Sequence, residues 1–374
     1  MRRRELPFAL AGMASLAAGA AQELVVAQVA PMTGPLGVGA QANFVGAKAY
    51  FDHVNDKGGI HGARIRLVQE DDQYKPQETI RLLELVAQRD KPLAFINMYG
   101  SANVAAILKE KTLDRLRIPA IGVTPGAESL RKPGSPWIFH VQAGDRAQIR
   151  KILAHLSTMG IARVAVVYQD NPFGKNGLAF VDEMADSMKV QIVGRVSAPS
   201  AADDLKAAAA ELKKTNAQTY LMVLASNSGA ALVRDVRRAG DPTPIYGMSY
   251  VDAAGVVAKA PSRSATGVAL AQITPSSAVA VTGLTRDFHA ILAKYAPKGT
   301  ERSQLHLVGF IAARVTGEAL ANAGPSPTPE RLAQALQKLR KDLGGYFIDF
   351  TNDDNVGSNY VDIAVIDERG QLMR

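Results

Sequence analysis

The residues best placed to do chemistry lie between Leu93 and Leu130. An apolar run, Leu93 to Met98, meets Tyr99-Gly100-Ser101, and a helical pattern follows from Ala102 to Leu116. A second apolar run, Ile118 to Val123, meets Thr124-Pro125-Gly126. Each reads as a strand ending in a turn. Two such strands lying parallel in one sheet open their carboxyl ends side by side, where open α/β sheets bind ligands. Ser101 stands where a helix N-cap belongs, so its hydroxyl and the free amides behind it can hold an anion such as a carboxylate. Serine is also at home there as a cap alone, worth ~1 kcal/mol of helix stability. The chemistry suggested is noncovalent capture of a small anion.

Signals for covalent chemistry are missing. The chain has no GxSxG elbow, no HExxH and no Walker lysine after a glycine-rich loop, and Gly37-Val38-Gly39 lacks the third glycine of a dinucleotide fingerprint. Asp170 and Asp252 fall near loops, but nothing pairs them as acid and base. The six histidines, His53, His61, His140, His155, His289 and His306, show no metal-ligand spacing and read as surface or supporting residues. There is no cysteine, which excludes disulfides, thiol catalysis and a lipid-anchoring cysteine. No cofactor is expected. The formal net charge of +8 is spread along the chain without basic runs interleaved with aromatics, so nucleic acid is not an expected partner.

These turns need a frame to hold them. Glu23 to Ala30 is strand-like and ends in a turn-rich loop, Pro31 to Gly39; Gln41 to Val54 repeats apolar residues at helical spacing and stops at Gly58-Gly59. Strand Arg64 to Glu70 and a helix from Gln77 to Arg89 follow. After Trp137-Ile138-Phe139-His140-Val141 the rhythm restarts. Helix Arg146 to Met159, strand Val164 to Tyr168, helix Gly177 to Met188, strand Val190 to Val196, helix Ala202 to Lys213, strand Tyr220 to Leu224, helix Gly229 to Ala239 and strand Ile245 to Met248 succeed one another. Such alternation argues parallel sheets with helices on both faces, and 374 residues suit two domains. Beyond Met248 only one helix is assigned, beginning at Pro329 behind a Thr328 cap.

Residues 1–21 are of a different kind. Arg2-Arg3-Arg4, an apolar run from Leu6 to Ala18 and small residues up to Ala21 have the layout of a secretory signal peptide, with cleavage after Ala20 or Ala21. The Sec route fits better than a twin-arginine one, given Glu5 and Pro7. A free periplasmic product is expected.

In order and spacing, PMTGPLG, Gly58-Gly59-Ile60-His61-Gly62, the Glu70-Asp71-Asp72 triplet and YQDNPFGKNGL from Tyr168 to Leu178 resemble the type I periplasmic binding proteins, and more narrowly the leucine/isoleucine/valine-binding branch that serves ATP-driven importers. The resemblance spans essentially the whole mature chain. It implies an α/β fold of two Rossmann-like lobes, parallel sheets flanked by helices, joined by three crossovers near Val141, Gln272 to Thr274 and Ile348 to Phe350. Lobe 1 would hold residues 22–141 plus 274–348, and lobe 2 residues 142–273 plus 349–374. It further implies a monomer that is not an enzyme, closes over a small amino acid or related carboxylate, and delivers it to an ABC permease in the inner membrane. A ligand-sensing partner of a membrane receptor, or an enzyme built on the same lobes, are the other readings.

Carried over residue by residue, the family's pocket is incomplete here. Ser101 matches the serine that holds the ligand's main-chain groups; the matching threonine falls on Gly126, with Thr124 two residues earlier as a substitute. Ala225 and Ser249 fall where relatives place a tyrosine and a glutamate on the ligand's ammonium, and a one-residue slip around Ser226-Asn227-Ser228 makes Asn227 a candidate too. A buried ammonium without a counter-charge is costly, so an amine-free acid, including an aromatic one, competes with an amino acid unless Asp252 or another acid moves in. Gly39 replaces an aromatic residue of the relatives' first loop, which would widen the pocket. Tyr99, Phe173 and Tyr250 are candidates for stacking on a ligand or for packing alone; Gly100 is first a turn glycine. Tyr74 and Gly100 align with a disulfide of some relatives, and the Tyr74 ring is expected to pack over Gly100 in its place.

Overall fold

The computed structural model describes residues 23–132, 134–199, 203–260 and 262–373. The leader at 1–21 lies outside them. The first stretch forms β1 (Glu23–Ala30), α1 (Gly37–Asp56), β2 (Arg64–Asp71), α2 (Pro76–Arg89), β3 (Ala94–Ile96), α3 (Ser101–Lys109), α4 (Thr112–Leu116), β4 (Ala120–Ile121), α5 (Glu128–Arg131) and β5 (Ile138–Phe139). The five strands pair in parallel in the order β2-β1-β3-β4-β5. Alternation along β1 sends Leu24 and Val26 into one core and Ala27 and Val29 into another on the opposite face, as a sheet covered on both sides requires. The single helix expected from Ala102 to Leu116 is broken: Lys111 takes left-handed φ 49° between α3 and α4, because the chain must turn to bury Leu113 under the sheet.

The second stretch forms α6 (Asp145–Thr158), β6 (Arg163–Gln169), α7 (Pro172–Ala185), β7 (Gln191–Ala198), α8 (Lys206–Lys214), β8 (Thr219–Val223), α9 (Ser226–Arg238), β9 (Ile245–Gly247), α10 (Ala253–Lys259), α11 (Ser262–Ala265) and β10 (Val268–Gln272). Its strands run β7-β6-β8-β9-β10 in parallel, the same topology as the first sheet. Asn171 caps α7 by accepting the Gly174 amide, and Pro172 follows at the first helical position, so the helix starts well before the expected Gly177.

The chain then returns to the first lobe as α12 (Gly283–Tyr295), α13 (Gln304–Ala323), α14 (Pro329–Gln337) and a hairpin of β11 (Arg340–Asp342) and β12 (Phe347–Asp349). Helix α13 packs on α1 with no room to spare. A Cβ on Gly46 would sit 1.9 Å from the His306 carbonyl oxygen, and one on Gly309 2.0 Å from that of Asn43. Strands β13 (Asp362–Ile366) and β14 (Leu372–Met373) finish the second sheet as antiparallel additions. The third crossing comes several residues later than Ile348 to Phe350. Phe350 stays in the first lobe's core, edge-to-face on Phe139 at 5.3 Å, and Val356 bridges His140, so residues 349–357 lie with the first lobe rather than the second.

One side chain ties the three crossings together. The buried Tyr346 hydroxyl lies 2.8 Å from the Val141 carbonyl and 3.1 Å from that of Ile273, and accepts from Ser358. Among the described residues no helix is long and apolar enough to cross a membrane.

Candidate functional site

Each sheet reverses its strand order beside its first strand, and at these points the carboxyl ends of the two sheets face each other across a narrow cavity of about 40 Å³. Tyr99, Gly100 and Ser101 reach it from the β3–α3 turn, Thr124 and Pro125 from the loop after β4, Leu36 from the start of α1, and Tyr74 from the loop before α2. The opposite wall holds Gln169 and Asn171 between β6 and α7, Phe173 in α7, Ala225 before α9, and Tyr250 after β9. No Asp, Glu, Lys, Arg or His stands among these lining residues.

The two aliphatic hydroxyls lie on the first lobe's side. Gly100, not Ser101, is the N-cap of α3; it adopts φ 93° and ψ 121°, open to glycine and strained for any other residue. Ser101 is therefore the first helical residue. It is buried, and its hydroxyl bonds to no other described residue, so it does not serve as a cap. Thr124 is buried as well, and its Oγ1 has no partner. Asn171 and Ala225 are the N-caps of α7 and α9, so three helix N-termini converge on the cavity, each carrying partial positive charge.

Aromatic rings supply the walls. Tyr74 lies over Gly100, where an added Cβ would meet its Cε2 at 2.5 Å, and its hydroxyl accepts the Ala102 amide. This is the packing expected in place of a disulfide. Phe173 and Tyr250 meet edge-to-face at 4.9 Å and 79°. Gln169 accepts the Ala225 amide at 3.0 Å, which locks the ends of β6 and β8 together beneath the cavity.

Of the residues expected from the sequence, Tyr99, Gly100, Ser101, Thr124, Phe173, Ala225 and Tyr250 come together at this cavity. Four do not line it. Gly39 does not widen it, because the Tyr99 hydroxyl fills the space, 2.4 Å from where a Cβ would be. Gly126 lies behind the wall, with Asp145 Oδ1 at 2.2 Å and the Tyr250 hydroxyl at 2.8 Å from its absent Cβ. Asn227 is exposed on α9. Ser249 is buried beside a separate groove, its amide donating to Gln148 and its carbonyl accepting from Gln304. Asp252 lines that same groove and caps α10 through the Gly255 amide, so it brings no acid to the cavity.

Sequence reasoning missed Leu36, Tyr74, Pro125, Gln169 and Asn171 as lining residues. Asn171 carried a readable signal, an asparagine directly before a helix-starting proline. It also missed the group behind the wall. Tyr250 donates to Asp145 Oδ1 at 2.6 Å, and the Asp145 amide donates to Gly126 across the two lobes. Burial pushes the Asp145 carboxyl up to about 6, although the buried Arg131 guanidinium nearby favours its charged form. Arg131 makes no ion pair with it and donates instead to the Gln142 carbonyl at 3.0 Å. Burial holds His140 neutral, well below the ordinary imidazole range, against the Val123 carbonyl, so neither it nor Arg131 is a surface group. Among the described residues no cluster of His, Asp and Glu could hold a metal.

Two α/β lobes of one topology, hinged by three crossings over a cavity at their switch points, define a type I periplasmic binding protein. The chain belongs to the periplasmic binding protein family, whose model matches residues 23–371. It is similar to a substrate-binding periplasmic protein from Ralstonia solanacearum, at 31% identity over 94% of this chain and 99% of that one, with a TM-score of 0.89. An extracellular ligand-binding receptor from Verminephrobacter eiseniae matches at 33% identity over 94% and 100%, with a TM-score of 0.87. The Leu/Ile/Val-binding protein homolog 8 of Brucella abortus is 24% identical over 83% of this chain and 78% of its own length.

Proposed function

We infer that this protein captures a small carboxylate between its lobes, closes over it, and presents the closed form to an ABC permease in the inner membrane. It acts as a monomer in the periplasm and performs no covalent chemistry. The observation that carries this reading is the buried Thr124 hydroxyl, left without a protein partner at the cavity lining beside the Ser101 hydroxyl and the N-terminus of α3. A carboxylate seated there accepts from both hydroxyls and from the helix amides. Structures of this fold hold valine in a Thermus thermophilus protein at 21% identity and benzoate in one from R. palustris at 15%, so the fold leaves the ligand's body open.

The test is calorimetric titration of Ser101→Ala. Losing a hydrogen bond to a buried carboxylate should weaken binding by about 1–3 kcal/mol. Unchanged affinity for every carboxylate that the parent binds would remove Ser101 from the site and with it the support for this reading.

A further inference from the structure

We propose that the ligand is an aromatic carboxylate that carries no amine; this rests on the reading that the cavity holds a carboxylate, and goes on to say what else the ligand has. Charge comes first. An α-amino acid brings an ammonium into the closed cleft, and a buried ammonium needs an anion beside it. None of the described residues lining the cavity supplies one. Ala225 and Ser249 stand where the resemblance expects such contacts, and Ala225 offers only a methyl group while Ser249 faces another groove. Asp252 is engaged in that groove as a helix cap. Asp145 lies behind the wall, one carboxylate oxygen bound by Tyr250 and the other sealed from solvent.

The field inside the cavity works in the same direction. The N-termini of α3, α7 and α9 all point their partial positive charge at it. An anion gains from all three helices, and a cation is opposed by all three. The second, independent observation is the buried, unpartnered Thr124 hydroxyl at the lining.

Shape decides the body of the ligand. The rings of Tyr74 and Tyr99 stand on one side, and the edge-to-face pair of Phe173 and Tyr250 on the other. Tyr250 is pinned by Asp145, which occupies the space that a side chain on Gly126 would need. Rings so placed offer a flat ligand ring offset-stacked and edge contacts that an aliphatic chain cannot make.

The experiment is isothermal titration of the ligand-stripped protein with matched pairs that differ only in the amine: 3-phenylpropanoate against phenylalanine, and 4-methylpentanoate against leucine, with benzoate alongside. The amine-free member of each pair should bind at least about a hundredfold more tightly, and an aromatic acid should bind most tightly of all. Phenylalanine or leucine binding as well as its amine-free partner would overturn the proposal while leaving carboxylate capture intact. An aliphatic acid outranking both aromatic acids would overturn the claim of a ring. If no carboxylate bound at all, the proposal and the function it rests on would fall together. A second arm uses Ala225→Glu, which places an acid on the bare wall. It should move the preference toward phenylalanine; a folded variant with the parent's order of affinities would refute the view that a missing acid excludes the amine.

Discussion

Two pairs of desolvated groups shape the acid response at the level of single residues. Burial raises the carboxyls of Asp72 and Asp145 to about 6, above their ordinary range near 4. Between those values the folded chain holds protons that the unfolded chain has lost, so each contributes stability that is present at low pH and lost as pH rises through about 6. Burial acts oppositely on His306, lowered to about 4, and on His140, which is lowered further. Their contribution is present above about 6.5 and lost as pH falls. Asp145→Asn should therefore steepen the loss of stability between pH 6.5 and 4, and His306→Gln should flatten it. Urea midpoints across that range check both; parallel profiles for all three proteins would contradict the assignment. A further residue-level expectation concerns Gly126→Thr, which introduces the threonine that the resemblance implies there but drives it into Asp145 and Tyr250, at a cost of about 1–3 kcal/mol by overpacking. A denaturation midpoint equal to the parent's would show that Asp145 has room to move. At this scale the sequence made Ser101 and Thr124 legible, because a polar residue after an apolar run marks a strand end. Asp145 was not, since its partners Gly126 and Tyr250 come from distant turns that only the fold brings together.

Among elements, the close seam between α1 and α13 is the sharpest case of packing. Gly46 and Gly309 let the two backbones touch, and a methyl group at either site meets a carbonyl oxygen at about 2 Å. Backbone cannot retreat as a flexible side chain can, so Gly46→Ala should destabilise by at least about 1–3 kcal/mol. Thermal unfolding measures this directly, and a change within the error of the scan would mean that the helices part without penalty. The alternation of strand and helix up to Met248 was readable because parallel strands buried on both faces appear as short apolar runs between amphipathic helices. Helix α13 was not, since it is apolar on nearly every side and leaves no polar stripe to set a period. Strands β13 and β14 escaped for another reason: β13 pairs antiparallel with β10, a strand far behind it in the chain, and nothing local reports such a partner.

For the molecule as a whole, the crossings matter more than the lobes. Periodicity sees elements and not where a chain changes lobe, so the boundaries came from resemblance, and the third fell short because Phe350 and Val356 bind back to the first lobe. All three crossings meet at the Tyr346 hydroxyl. Tyr346→Phe should cost about 0.5–1.5 kcal/mol of stability and change ligand affinity without touching the ligand; an unaltered dissociation constant would show that the pin does not bear on closure. Trp137, the only tryptophan, sits half-buried just before the first crossing, so its emission should change on saturation with ligand. A flat signal at full occupancy would mean that closure leaves its surroundings unmoved. Finally, the ring of Tyr74 resting on Gly100, in a chain without cysteine, frees the first lobe from any oxidation step during folding. The chain should refold equally fast with or without dithiothreitol and ask nothing of a thiol oxidase. Any single cysteine introduced beside the cleft is then the sole attachment point for a dye, which makes the protein a ready scaffold for an optical sensor of its own ligand.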